Sequence, residues 1–137
     1  MSTRWIAALL ALAVLVPATA KAAPRYKLDR DRQRVVEITN LGGATGCLPA
    51  KVAGTVVSQE TDPRGLLSGV TVEEADGTES YANVHELPAA QMSAADLKWI
   101  RQGLDQLLAK GARVDLQVGA CGASGSVLVI KSIRPLR

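Results

Sequence analysis

Hydrophobic positions in this chain follow two periods, and the switch between them sets the order of elements. In residues 51–59 (KVAGTVVSQ), β-branched and polar side chains alternate, which is the two-residue period of a half-buried strand. Residues 67–74 repeat the pattern, with Val70 and Val72 on one face and Thr71 and Glu73 on the other. Between these runs, the polar stretch 60–65 carries Pro63 and Gly65 and reads as a loop. Asp76-Gly77 then suits a tight hairpin turn, because both residue types tolerate positive φ. Residues 79–85 complete a third strand. After Pro88 the period lengthens: Leu97, Ile100, Leu104, Leu107 and Leu108 recur at helical spacing. Ser93 is placed to cap that helix and Asp96 to meet its positive end, while Lys110 and Gly111 suit its C-terminus. Gly103 inside the helix costs about 1 kcal/mol relative to Ala and fits a close approach to the sheet. Residues 113–118 alternate strictly, 119–125 turn the chain, and 127–133 (VLVIKSI) form a last strand.

The N-terminal part divides differently. Arg4, the apolar run at residues 5–16, Pro17 and the small-residue sites Ala18-Thr19-Ala20 and Ala20-Lys21-Ala22 have the layout of a secretory signal peptide. An apolar run of about 12 residues is short for a membrane span, so none is expected after cleavage. Residues 23–34 (APRYKLDRDRQR) are polar and mixed in sign, and are expected to be an exposed leader. Residues 35–39 could add a short strand, and 41–46 a loop. The expected division is therefore a signal peptide at 1–22, a polar segment at 23–46 and the folded domain at 47–137.

Composition narrows the core and the compartment. Phe is absent, so Val, Leu, Ile and Ala must fill the interior, and Trp99, off the main helical stripe, either plugs the barrel's end or offers an exposed partner contact. Cys47 and Cys121 are the only cysteines. In an exported chain an even pair reads as a disulfide, and without a His or Cys cluster or Cys-x-x-Cys spacing neither a metal site nor a redox role is expected. Beyond residue 22 there are 14 basic and 13 acidic side chains. That near-neutral total shows no concentrated basic face and disfavours nucleic acid as a partner.

The order strand, strand, strand, helix, strand, strand over residues 51–135 resembles the OB-fold, a five-stranded barrel with a helix between its third and fourth strands. The sequence therefore predicts a mainly β domain with one helix; an SH3-like barrel with an inserted helix is the alternative. The spacing also resembles staphylococcal-nuclease-like domains, which implies carboxylates for calcium and arginines for a phosphate. Glu60, Asp62, Arg64 and Glu86 fall in the corresponding region, but the family's motif is not matched and the connection between the last two strands has no Arg. No catalytic residue is assigned. The OB-fold resemblance implies a ligand face over the second and third strands, where Tyr81, Asn83 and His85 share one side of the third strand by period two. The resulting expectation is a small exported, periplasmic or secreted, non-enzymatic binding or structural module of the cell envelope. It would need no cofactor and would bind a small molecule, a peptide or an envelope protein. A divergent nuclease-like phosphodiester hydrolase is the alternative.

Overall fold

Five strands close into a ring, and a hairpin from the N-terminal segment is added to its side. The computed structural model describes residues 23–42 and 46–137. The expected signal peptide lies outside the described residues. The elements are β1 (Arg25–Asp29), β2 (Arg34–Thr39), β3 (Leu48–Thr61), β4 (Leu67–Glu74), β5 (Glu79–Asn83), α1 (Ala94–Leu107), β6 (Arg113–Cys121) and β7 (Val127–Pro135). Strand β3 pairs with β4, β4 with β5, β5 with β7, β7 with β6, and β6 returns to β3. All these pairings are antiparallel except β5 with β7. The domain is a small OB-like barrel with α1 between its third and fourth strands.

β3 holds the ring together because it serves two partners in succession. Leu48 to Thr55 pair with β6, and Gly54 to Thr61 pair with β4. Its inward side chains, Val52 and Val56, meet Val70, Val72, Val114 and Leu116 from the neighbouring strands, all of them buried. The strand is longer than its hydrophobic alternation, since backbone pairing with β6 carries it back through Pro49 to Leu48. Between β4 and β5, Gly77 takes φ +87° and its amide donates to Glu74 O, as the Asp76-Gly77 pair implies.

Helix α1 begins where its cap requires: the Ser93 hydroxyl accepts from the Asp96 amide at 3.1 Å. Ile100, Leu104 and Leu108 are buried, and Leu97 and Leu107 flank them half-buried. The helix stops at Leu107, before Lys110, because the chain then pairs with β3: Gly111 N donates to Val56 O, and Val56 N to Ala112 O. Replacing Leu104 with Ala should cost about 2–5 kcal/mol, whereas exposed Gln102→Ala should cost under about 0.5 kcal/mol. Urea unfolding of both variants checks this, and equal small effects would mean that α1 does not pack on the barrel through that stripe.

The segment expected as a solvated leader is instead strand β1 with its turn into β2. Asp29 Oδ1 accepts from the amides of Asp31 and Arg32 and shapes that turn. Val35 and Ile38 of β2 are buried against α1, where Gly103 lets the two elements meet: a Cβ there would lie 2.9 Å from the Val35 side chain. The Tyr26 hydroxyl donates to Asp96 at 2.8 Å and ties β1 to the start of the helix. Val35 and Ile38 anchor a segment whose other residues are mostly charged.

Candidate ligand-binding surfaces

The outer surface of the barrel is fixed by strand register, and it separates the residues singled out from sequence. Tyr81 pairs with Thr71, and Asn83 with Gly69, on the β4–β5 face. The Tyr81 ring leans across Gly69 toward Glu60 and stays 41 % exposed. Burial first, and the Glu60 carboxylate second, push its phenol above the ordinary value. Asn83 is engaged in the fold: its amide donates to Leu128 O at 3.1 Å, across the parallel junction with β7. His85 lies beyond the end of β5 and beside Gly42. The row of three therefore divides into an exposed ring, a sheet clamp and a loop residue. This face is also acidic, with Glu73 opposite Glu79 and Glu60 beside Gly69.

The carboxylates of the β3–β4 loop hold the loop itself. Asp62 Oδ1 accepts from the amides of Arg64 and Leu66, and Oδ2 accepts from the Arg64 guanidinium at 2.9 and 3.2 Å. The Arg64 guanidinium, then the Leu66 amide, hold the Asp62 carboxyl below its usual range. Arg64 also reaches Glu86 at 3.5 Å, joining the loop to the segment after β5. These groups neutralise one another. No group of three or more His, Cys, Asp or Glu placed to hold a metal ion occurs among the described residues. Next to this network lies a cleft of about 210 Å³, formed by the β3–β4 loop, residues 84–87 and the outer turn of α1 with Arg101, Leu104 and Asp105.

Charge is sorted by element, which the total conceals. The hairpin with its turn, β6, β7 and the first half of β3 carry nine basic residues: Arg25, Lys27, Arg30, Arg32, Arg34, Lys51, Arg113, Lys131 and Arg134. Only Asp29, Asp31, Glu37 and Asp115 oppose them. The second half of β3, β4, β5, their loops and α1 hold the other nine acidic residues and just four basic ones. Three acids on the basic side are already paired: Lys27 with Glu37, Arg32 with Asp29, and Arg134 with Asp115 at 3.1 Å. Arg25, Arg30, Arg34, Lys51, Arg113 and Lys131 make no side-chain ion pair among the described residues. On the barrel, the register sets Lys51 beside Gln117 and Ser132, one row from Asp115 and Arg134 and two rows from Arg113, facing outward together.

The bond between Cys47 and Cys121 joins the residue before β3 to the end of β6. No helix among the described residues is long and apolar enough to cross a membrane.

No family model and no curated protein matches the chain. It is similar to a solved structure of a mitochondrial single-stranded DNA-binding protein from S. cerevisiae, at 18% identity and a TM-score of 0.40, over 68% of this chain and 97% of that one. The likeness is one of OB-like fold, and the comparison with nuclease-like domains gains no match. Three expectations are corrected here. The total charge disfavours nucleic acid, but basic residues predominate on the hairpin, β6, β7 and the first half of β3. The envelope module, with the nuclease-like alternative, and the periplasmic or secreted location are not kept: what stands against them is a similar structure described as a mitochondrial DNA-binding protein.

Proposed function

We propose that the protein binds an extended anionic polymer along the side of the barrel built from β1, β2, β7, β6 and the first half of β3. The segregation of charge carries this reading: nine basic residues against four acidic ones on that side, six of the nine without an ion pair. A field of one sign steers a polyanion to that surface. Binding releases counterions from the polymer, so affinity should fall about a hundredfold between about 50 and 200 mM salt if four phosphates are contacted. OB-like barrels bind oligonucleotides and oligosaccharides, usually over the second and third strands. In this protein that face carries Glu60, Glu73 and Glu79, so the polymer is assigned to the adjoining β6–β7 face and the hairpin.

Fluorescence anisotropy of the full chain with a single-stranded oligonucleotide and with a sulfated oligosaccharide tests the reading and identifies the polymer. The triple variant Arg34→Glu, Lys51→Glu, Arg113→Glu should lose at least tenfold in affinity for whichever binds, and Glu79→Gln should lose nothing. If neither polymer binds at low salt, or the triple variant binds as well as the parent, the basic side is not a binding surface.

A further inference from the structure

The cleft beside the β3–β4 loop combines features that the basic side lacks. Its floor is continuous with the core: Leu104 is buried, and Leu67, Val84 and Leu87 pack half-buried against the same cluster. Its rim carries unused charge of both signs. Arg101 and Asp105 are one helical turn apart on α1, about 5–6 Å between Cβ atoms, and their side chains form no hydrogen bond or ion pair among the described residues. Glu86 stands across from them and spends one oxygen on Arg64. The mouth is held in place, since Asp62 fixes Arg64 and Arg64 reaches Glu86.

We propose that this cleft is a separate binding site for a small α-amino acid with an apolar side chain. The ligand's aliphatic group lies on Leu67, Val84, Leu87 and Leu104. Its carboxylate meets the Arg101 guanidinium, and its ammonium meets Asp105 and the free oxygen of Glu86. A purely anionic ligand would face Asp105 and Glu86 unpaired, and a purely cationic one would face Arg101. A zwitterion answers both, and a volume of about 210 Å³ suits one residue-sized molecule. The site is independent of the polymer reading, because it uses none of the residues on the basic side.

The test is an NMR titration of the full chain with L-leucine, leucinamide, N-acetyl-leucine and glycine. Leucine should give saturable shifts confined to the cleft. Each of the other three should bind at least tenfold more weakly, since each lacks one of the matched groups. Arg101→Ala should weaken leucine at least tenfold and leave leucinamide, which has no carboxylate, unchanged. Asp105→Asn should weaken leucine and leave N-acetyl-leucine unchanged. Both side chains are exposed, so neither variant should disturb the fold. Equal binding of leucine and leucinamide, or no saturable shift in the cleft by about 20 mM leucine, would overturn the assignment.

Discussion

Gly54→Ala should destabilise the barrel by about 3 kcal/mol or more, although it adds a single methyl group. Gly54 is where β3 changes partners: it pairs with Val114 of β6 and with Glu74 of β4. A Cβ there would lie 2.8 Å from the carbonyl carbon of Glu73 and 3.0 Å from the Cα of Glu74. Both are backbone atoms, so no rotamer change relieves the clash. β4 would have to move away, and with it the Val56–Val72 contact inside the ring. For a domain of this size such a loss lowers Tm by roughly 10–20 °C. Gly77→Ala is the matched control. Gly77 has a positive φ but open space around it, so its cost is conformational, about 1 kcal/mol. Thermal and urea unfolding of both variants give the comparison. If Gly54→Ala costs no more than Gly77→Ala, the two halves of the barrel do not approach at Gly54 as described.

What could be read from the sequence was written in local chemistry. The Ser93 cap, the Asp76-Gly77 turn and the alternation around Val70 and Val72 each act within a few residues, and each appears in the fold as expected. The OB-like order followed from them. The N-terminal hairpin could not be read this way, because what folds it is distant. Val35 and Ile38 are buried against α1, where Gly103, more than 60 residues later, leaves room for them. The same limit applies to the candidate surfaces. Period two placed Tyr81 and Asn83 on one face, but it could not show that Asn83 spends its amide on Leu128 or that the strand ends before His85. Counting charges gave near neutrality. Only the pairing of β6 with β3 and β7 gathers Lys51, Arg113 and Arg134 at neighbouring outward positions, with Thr55 between Arg113 and Glu73. The signal for that grouping was present in the sequence as a contrast between the strand-borne charges of the two halves, and it appears once the strands are placed around the ring.

Removing the Cys47–Cys121 bond should cost about 2–4 kcal/mol, and most of that loss should arise in the unfolded chain. The cysteines are 74 residues apart, and a loop of that length gives a chain-entropy estimate of about 4.5 kcal/mol, of which measured bonds commonly deliver less. In the folded protein the bond is locally redundant. Leu48 and Ala120, next to the two cysteines, are already paired by the β3–β6 ladder, so the native ends stay together without it. The unfolded chain has no such ladder, and losing the bond frees the whole stretch that carries β3, β4, β5, α1 and β6. A Cys47→Ala, Cys121→Ala variant is preferable to serine, since Cys121 is buried at 8 % exposure and a hydroxyl there would need a partner. Urea unfolding of this variant should show a lower midpoint and a larger m-value, because the unbridged chain exposes more surface when it unfolds. The wild-type protein in reductant should match the variant, which separates the bond from the side-chain substitution. A midpoint lowered with m unchanged would place the loss in the native barrel. An unchanged midpoint in both would mean that the β3–β6 ladder alone sets the stability of this edge.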